Sequence, residues 1–206
     1  MKIERFVCGD IEENCYILYA EDGGECMIMD PGEGPGRISR FLKEHGLTPS
    51  RIILTHHHPD HTGAIDGLLR EYDIPIYIHE AELWRLKWKA NGLKDGDVLK
   101  IGDESLRVIH TPGHSEGRVC FFCAEMKIAF TGDVVFRDET GYTIFDGGSK
   151  HQMINSIGSI IDKWDDDTVL YPGHFGMADM AYVKANNPDY RKAMKRYTEK
   201  QTGRRK

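Results

Sequence analysis

The chain has 206 residues, of which 40% are hydrophobic and 29% are charged, and its formal net charge at pH 7 is −6. This length favours a single domain over residues 1–206 with a substantial core, and the acidic balance argues against nucleic-acid binding. The sequence has no apolar run near the ~20 residues of a membrane span and no apolar signal core in MKIERF, so we expect a cytoplasmic protein that binds no membrane.

The first third of the chain alternates short β-like runs with turns. The runs IERFVC, NCYILYA and CMIMD predict strands, because turns rich in Gly and acidic residues separate them. Residues 36–45 predict a helix, with apolar residues at helical spacing and Gly46 as its stop. The run RIILT then predicts a short strand that ends at the segment HHHPDH.

A second series of elements follows this segment. Residues 62–72 and 80–90 predict helices on either side of a strand at IPIYIH. Four further runs predict strands, and they are VLKIG, SLRVIH, RVCFFC and KIAFTG. Because strand runs and helices occur in both halves, the sequence favours two packed sheets with helices outside them.

The last part of the chain predicts a helix over residues 150–164, a strand at TVLYP and a helical end over residues 179–200 that Pro188 interrupts. This end is basic, since residues 191–206 contain eight basic residues and one acidic residue. We interpret it as a short, solvated helical tail, and contact with an anionic partner is the alternative.

The five cysteines do not form a recognisable disulfide framework, because their number is odd and they are scattered. Cys120 and Cys123 form a CxxC pattern inside the predicted strand RVCFFC. Residues three apart on a strand point to opposite faces. We therefore expect two core cysteines there, not a redox or metal site.

The densest group of candidate metal ligands follows the strand RIILT. In an extended segment His56, His58 and Asp60 share one face, whereas His61 lies where the chain should turn into a helix. His56 and His58 at one end of the motif, and Asp60 and His61 at the other, can therefore bind neighbouring metal ions. Imidazole and carboxylate groups suit zinc and also bind iron or manganese. His57 has the wrong parity and is predicted to support its neighbours or to pack.

Three more candidate ligands lie downstream, each where a predicted strand runs into a loop. They are His114 in HTPGHS, Asp133 in FTGDV and His174 in YPGHF. A glycine precedes each of them, which allows the backbone to bend sharply close to a crowded site. The joint occurrence of these motifs, in this order after HxHxDH, predicts one metal centre.

These motifs together resemble a metallo-β-lactamase superfamily hydrolase, specifically its glyoxalase II-like branch. The pieces that carry the resemblance are NCYIL, DPGEG, THHHPDHTGA, HTPGHSEG, FTGDVVF and YPGHF. The resemblance implies an α/β fold, a four-layer αβ/βα sandwich of two sheets with helices on both outer faces. It also implies two metal sites that Asp133 bridges. The first is held by His56, His58 and His114, and the second by Asp60, His61 and His174.

A pair of divalent cations, expected to be zinc with iron or manganese as alternatives, would share a bridging hydroxide that is available at neutral pH. The cations would also polarise a substrate carbonyl and stabilise the oxyanion that forms. Asp60 is predicted to orient the hydroxide in addition to coordinating. The resemblance therefore implies a hydrolase of small molecules, with a thioester such as an acylglutathione as the expected substrate.

Two departures from the family concern the substrate. Glyoxalase II enzymes carry a longer C-terminal helical domain that helps to hold glutathione, whereas only about 30 residues follow His174 here. Related small proteins carry a GR-x-D stretch after the bridging aspartate, whereas this chain reads GYTI at residues 141–144. Tyr142 is therefore a candidate catalytic residue that contacts the substrate, and packing against its own loop is the alternative.

Other functions remain open on the same scaffold. A persulfide dioxygenase-like oxidoreductase would use one iron held by two histidines and an aspartate, but the retained second set of ligands favours two metals. A lactonase or β-lactam hydrolase would use the same hydroxide. A phosphodiesterase or nuclease would need a basic substrate arm beyond the short tail. A non-enzymatic metal-binding module is disfavoured by seven convergent ligands.

Two further expectations concern support and assembly. His110 is a candidate supporting partner for a metal-bound imidazole, which usually donates its other N–H to a neighbour. The apolar residues Trp84, Leu86 and Trp88 face either their own core or a second copy of the chain. The protein is thus expected to be a monomer or a homodimer.

Overall fold

Two six-stranded mixed sheets form the centre of the computed structural model, which describes residues 1–203. The strands of the first sheet neighbour one another in chain order, and they are β1 (Lys2–Cys8), β2 (Glu13–Tyr19), β3 (Glu25–Met29), β4 (Thr48–Ile53), β5 (Ile76–His79) and β6 (Ala90–Leu93). The second sheet follows the same rule with β7 (Val98–Ile101), β8 (Glu104–His110), β9 (Val119–Cys123), β10 (Ile128–Gly132), β11 (Val169–Pro172) and β12 (Ala178–Asp179).

In the described part of the chain, six α-helices accompany the sheets, and they are α1 (Pro35–Glu44), α2 (Pro59–Thr62), α3 (Ile65–Leu69), α4 (Lys150–Ser159), α5 (Met180–Asn186) and α6 (Pro188–Gln201). Short 3₁₀ helices span Glu80–Arg85 and Ile161–Lys163. Within residues 1–203, no helix has both the length and the apolar character needed to cross a membrane.

Three apolar clusters separate four layers. Adjacent residues of β2 point to different clusters, because Ile17 packs outward toward α1 and α3 while Leu18 packs between the two sheets. The third cluster lies between the second sheet and helices α4 to α6, and Ile157 and Leu170 belong to it. This arrangement confirms the predicted αβ/βα sandwich.

The two cysteines of the CxxC pattern separate as predicted. Cys120 packs in the cluster beneath the helices, and Cys123 packs between the sheets. All five cysteines are buried and free. The interpretation of this pair as core residues is confirmed.

Parallel strand pairs deliver the candidate ligands to one edge of the sandwich. Strands β3 and β4 are parallel in the first sheet, as are β10 and β11 in the second. The carboxyl ends of parallel strands share an edge, which is where α/β folds place their sites. Asn14 and Tyr16 fasten the two sheets there, since the side chain of each donates a hydrogen bond to the carbonyl of Pro172 (3.0 and 2.7 Å).

The prediction of a helix over residues 80–90 is wrong beyond Arg85. The chain becomes extended at Leu86 and then forms β6, which pairs in parallel with β5. A side chain at position 92 would meet Glu80 Cβ at 3.1 Å, so Gly92 lets this strand pack against the 3₁₀ turn. Trp88 and Leu86 pack on the outer cluster of the first sheet, while Trp84 is 69% exposed.

Two other predicted helices are shorter than expected. Of the helix predicted for residues 62–72, the structure forms only α3 and the last residue of α2. The two helices are separated at Gly63, whose missing side chain allows the carbonyl oxygen of Gly32 to approach. The helix predicted for residues 150–164 ends at Ser159. The helical tail is divided at Pro188 as predicted, and residues 204–206 of its basic segment lie outside the described residues.

Candidate metal centre

Three histidines converge in what we call the first set, which consists of His56, His58 and His114. His56 Nε2 lies 3.0 Å from His58 Nδ1, and His114 Nε2 lies 2.8 Å from the same atom. A tetrahedral zinc site spaces its ligand nitrogens by about 3.3 Å, given Zn–N distances of about 2.0–2.1 Å. The three nitrogens can therefore face one cation.

The second set consists of Asp60, His61 and His174. Asp60 Oδ2 lies 3.3 Å from His174 Nε2 and 3.6 Å from His61 Nε2. The ligand atoms of these three residues all lie within 4.8 Å of one another, as those of the first set also do. The HxHxDH motif thus contributes His56 and His58 to the first set and Asp60 and His61 to the second.

Asp133 lies between the two sets. Its Oδ2 is 3.5 Å from His114 Nε2 in the first set and 3.4 Å from His174 Nε2 in the second. Its Oδ1 is 3.4 Å from His61 Nε2. One carboxylate therefore faces both sets, which is the geometry that a bridging ligand requires.

Sequence reasoning did not find the hydrogen bonds that support His56 and His61 from behind. Asp30, which follows β3, accepts hydrogen bonds from His61 Nδ1 (3.1 Å) and from the Thr55 hydroxyl (2.6 Å). With its proton given to Asp30, the Thr55 hydroxyl accepts a hydrogen bond from His56 Nδ1 (3.0 Å). This tautomer leaves Nε2 of both histidines free to face the centre. The only sequence signal was the DPGEG motif.

Backbone carbonyls orient His114 and His174. His114 Nδ1 donates to the carbonyl of Tyr142 (2.6 Å), and His174 Nδ1 donates to the carbonyl of Ile11 (2.9 Å). Their Nε2 atoms consequently point inward. The residue after His174, Phe175, has a left-handed φ of 64°, and the Asn14 amide donates to its carbonyl at 2.9 Å. This contact helps to hold a strained backbone beside the site.

The histidines of the first set are neutral at physiological pH. Burial lowers the pKa of His58 to about 4 and lowers the pKa of His56 well below its ordinary value. Burial also lowers the pKa of His114, although Asp133 opposes this shift. Neutral imidazole is the form that binds metal ions.

In the second set, the pKa values of the histidines are raised instead of lowered. Burial lowers the pKa of His174, but hydrogen bonds to Asp133 and Asp60 outweigh it and raise the pKa to about 10. The same competition, with Asp133 and Asp30 as the carboxylates, raises the pKa of His61. Burial would raise the pKa of Asp133, but the charge of His61 and a hydrogen bond from His174 hold it well below its usual range.

The donors fit a pair of divalent cations. His61 Nε2 and Asp133 Oδ1 are buried without a hydrogen-bond partner among the described residues, and a buried polar group left unpaired is costly. Gly173 leaves the necessary space, because a Cβ there would lie 2.2 Å from Asp133 Oδ1. Oxygen and imidazole ligands of this kind suit zinc, iron or manganese.

A second supporting carboxylate that sequence reasoning missed lies behind the first set. Glu82 is fully buried and accepts hydrogen bonds from His57 Nδ1 (2.8 Å), the Gly117 amide (3.0 Å) and the Ser115 hydroxyl. His57 thus takes the supporting role that its parity predicted. The predicted support from His110 is replaced by other contacts, since its ring stacks on His79 and its Nε2 lies 2.9 Å from the Glu116 carbonyl oxygen.

A cavity of about 440 Å³ opens over the cluster. His58, Asp60 and Asp133 line its floor, and the side chain of Asp60 is 30% exposed. Tyr142 lies at the mouth of the cavity, and 61% of the surface of this residue is exposed. The candidate catalytic residues are therefore accessible to a small molecule.

A family model described as the metallo-beta-lactamase superfamily matches residues 9–174, which include all seven candidate ligands. The chain belongs to this superfamily. It is 34% identical over 206 residues to a probable metallo-hydrolase, YqgX, of Bacillus subtilis, covering 91% of this chain and 97% of the relative. It is 28% identical to the hydroxyacylglutathione hydrolase GloC of Haemophilus influenzae, with coverage of 91% and 97%.

Solved structures of this superfamily have the same fold. The B3 metallo-beta-lactamase BLEG-1 is 31% identical, with a TM-score of 0.81 over 91% of this chain and 98% of that one. The protein TTHA1623, solved in a di-iron-bound form, is 28% identical, with a TM-score of 0.80 over 90% of this chain and 98% of that one. The superfamily member described here is therefore an enzyme of the metallo-hydrolase class with a His/Asp cluster suited to divalent metals.

Proposed function

We propose that this metallo-hydrolase is a binuclear enzyme that cleaves thioesters or related acyl compounds of small size. The supporting observation is the position of Asp133, whose Oδ2 lies within 3.5 Å of one histidine nitrogen from each set. In this proposal the first set holds one cation, the second set holds the other and Asp133 bridges them.

When bound, the cations supply an activated water molecule and polarise the acyl carbonyl. The half-buried Asp60 carboxylate is proposed to orient the attacking water and to accept its proton. The water oxygen forms a bond to the acyl carbon, the carbon–sulfur bond breaks, and the departing thiolate takes the proton from Asp60. Tyr142 is proposed to contact the substrate from the mouth of the cavity, where its exposure permits it.

Zinc is the proposed metal, because the ligands are imidazole nitrogens and carboxylate oxygens in closely packed groups. Iron is the alternative with a specific support, since the related TTHA1623 has been solved with two irons. Manganese also tolerates these donors. The thioester proposal gains support from the hydroxyacylglutathione hydrolase name of the Haemophilus relative.

The test combines metal analysis of protein purified without chelator with hydrolysis of S-lactoylglutathione. We expect about two metal equivalents per chain together with turnover. Two equivalents without turnover would retain the binuclear centre and remove glutathione thioesters as substrates. One iron per chain without hydrolysis would contradict the proposal and favour an oxygenase.

A second candidate activity is β-lactam hydrolysis, which is favoured by the likeness to the B3 metallo-beta-lactamase BLEG-1. Ring opening of a β-lactam uses the same activated water and the same oxyanion stabilisation. Nitrocefin should therefore be assayed beside the thioester. Faster turnover of nitrocefin than of every thioester tested would replace the thioester proposal.

A further inference from the structure

We propose that Arg118 is a positioning residue that holds a fixed positive charge behind the first set, where it weakens cation binding and favours the negative charge that develops during hydrolysis. This inference rests on the proposed binuclear hydrolase. Arg118 directly precedes β9 and belongs to neither ligand set.

Arg118 is a fully buried guanidinium without a carboxylate partner. Its Nη1 donates a hydrogen bond to the Thr111 hydroxyl (3.1 Å) and lies 3.9 Å from Cys120 Sγ, whereas its Nε and Nη2 are buried without a hydrogen-bond partner among residues 1–203. In this part of the chain, no carboxylate oxygen lies within 4.0 Å of the guanidinium. Its charge is therefore not neutralised by a direct ion pair.

A single residue separates the guanidinium from each of two candidate ligands. A Cβ on Gly132 would lie 2.9 Å from Arg118 Nη2 and 2.6 Å from the Thr55 hydroxyl oxygen, so these two groups meet beside Gly132. Thr55 in turn holds His56 Nδ1 at 3.0 Å, and Gly132 directly precedes Asp133. Arg118 does not line the cavity over the cluster. The charge therefore lies close behind the cluster and is shielded from solvent.

A fixed charge at this position acts on the first set through the protein interior. Burial lowers the pKa of His114, Asp133 opposes that shift, and the charge of Arg118 lowers the pKa further. A charge that disfavours a proton on His114 also disfavours a cation bound by the same imidazole. Charges interact more strongly across protein than across water, and salt screens buried pairs poorly. We therefore expect the first set to bind its cation more weakly than it would without Arg118.

The same charge favours the proposed reaction. Attack on an acyl carbonyl places negative charge on the carbonyl oxygen, and positive groups that are already fixed near that oxygen stabilise it without rearrangement. Arginine suits this role because its guanidinium keeps its proton when buried, whereas a buried lysine readily loses its proton. Arg118 thus exchanges some metal affinity for stabilisation of the transition state.

The hydrogen bond to Thr111 is the competing explanation for Arg118. Glutamine can donate such a bond without carrying a charge, whereas methionine fills a similar space and neither donates nor carries a charge. The variants Arg118→Gln and Arg118→Met therefore separate the effect of the charge from the effect of the hydrogen bond.

The experiment measures zinc binding to the full-length, metal-free protein by competition with a chromophoric chelator. Both Arg118→Gln and Arg118→Met should bind at least one zinc ion about tenfold more tightly than the wild type. The rise in the urea midpoint that saturating zinc produces should also be larger in both variants, and this comparison corrects for any change in the stability of the metal-free fold. The matched control is Arg107→Met, which removes the same charge from an exposed position on β8 and should leave zinc affinity unchanged.

Three results would overturn the proposal. Unchanged or weaker zinc binding in both Arg118 variants would show that the charge does not act on the cluster. Tighter binding in Arg118→Met alone would assign the effect to the hydrogen bond, and equal tightening in Arg107→Met would assign it to the net charge of the protein.

Kinetics test the second part of the proposal. With S-lactoylglutathione, kcat should fall about tenfold in both Arg118 variants with KM unchanged, because the lost charge acts on the transition state. Unchanged kcat would overturn the role of Arg118 in hydrolysis. If the wild type hydrolyses no thioester, the proposed function fails, while the zinc affinities still decide whether Arg118 weakens cation binding.

Discussion

The two candidate ligand sets use nearly the same residue types but differ in their protonation. Burial lowers the pKa of every histidine in the first set, so those imidazoles are neutral and ready to bind. In the second set, carboxylates raise the pKa of His61 and His174, so a cation must displace protons. Metal affinity depends on this competition. Sites only a few ångströms apart are therefore expected to differ in their sensitivity to acid.

Removal of the residue that joins the two sets has the largest expected effect. Asp133→Ala deletes the carboxylate that faces both, so we expect loss of paired metal binding and a fall in hydrolysis of more than about 100-fold. Outer-shell substitutions alone typically cost about 10–100-fold, and Asp133 is closer to the reaction. Metal analysis and thioester turnover are the measurements.

The control for this variant is Asp138→Ala, which removes an exposed carboxylate of the same loop that accepts a hydrogen bond from the Tyr182 hydroxyl. It should retain both metals and full turnover. Wild-type turnover with two metals in Asp133→Ala would show that this aspartate does not bridge.

The second largest effect is expected from acid, which should weaken metal binding by the second set before it weakens metal binding by the first. The pKa of His174 is raised to about 10, so at any lower pH its proton opposes the cation. The pKa of His61 is raised as well, so each unit of acidification weakens cation binding by the second set by at least about tenfold. In the first set, protons compete with the cation only near the pKa of His58, which is about 4. Between pH 8 and pH 5.5 in a limiting chelator, we expect one metal equivalent to be lost before the other.

Single-set variants identify which metal leaves. His174→Ala should retain one metal whose binding is insensitive to acid over this range, and His58→Ala should retain the acid-sensitive one. Simultaneous loss of both metals in the wild type, or an acid-sensitive remaining metal in His174→Ala, would contradict the difference between the sets.

The seven candidate ligands were predictable because each follows a strand, and strand ends are readable from apolar runs and turn residues. The sandwich was predictable for the same reason, and the superfamily resemblance added the pairing of ligands. Asp30 and Glu82 were not predictable, because their partners lie 25 or more residues away in the chain and only folding brings them together. No local spacing distinguishes such carboxylates from solvated ones.

The segment after Arg85 shows where local patterns fail. Its apolar residues have helical spacing, but Ala90 to Leu93 gain backbone hydrogen bonds by extending the first sheet beside β5. Leu86 and Trp88 are still partly buried against the core, so the apolar pattern correctly marked a packed face. Tertiary pairing decided the backbone conformation, as it commonly does for segments of moderate propensity.

Glu82 supports the first set alone, so its substitution should change the two sets unequally. Glu82→Gln removes a charge that three donors satisfy, and we expect the metal-free protein to lose about 1–3 kcal/mol of unfolding free energy at pH 7. Burial raises the pKa of Glu82, but hydrogen bonds from His57 and Ser115 outweigh it and lower the pKa. Because the pKa of Glu82 is lower in the folded protein than in the unfolded chain, its carboxylate stabilises the fold at pH values above the unfolded pKa. This contribution is lost as pH falls through the folded pKa.

The difference between wild type and Glu82→Gln should therefore shrink from pH 7 toward pH 4 in urea unfolding. Glu80→Gln is the matched control, since Glu80 is an exposed carboxylate at the start of the same 3₁₀ helix. In the metal-loaded Glu82→Gln variant, the metal ion in the acid-resistant first set should bind more weakly. Binding of the metal ion in the acid-sensitive second set should be unchanged. Equal weakening of both would show that Glu82 stabilises the fold without favouring the first set.

The smallest effect on metal content is expected for His57, although it lies between two residues of the first set. Its ring turns away from the cluster and donates to Glu82, so His57→Ala should leave metal content near normal. The buried Glu82 then loses one of three donors, and we expect a cost of about 1 kcal/mol in unfolding free energy. Metal analysis beside urea unfolding measures both. If a whole metal equivalent were lost, His57 would belong to the first set, and the parity argument that separated it from His56 and His58 would be wrong.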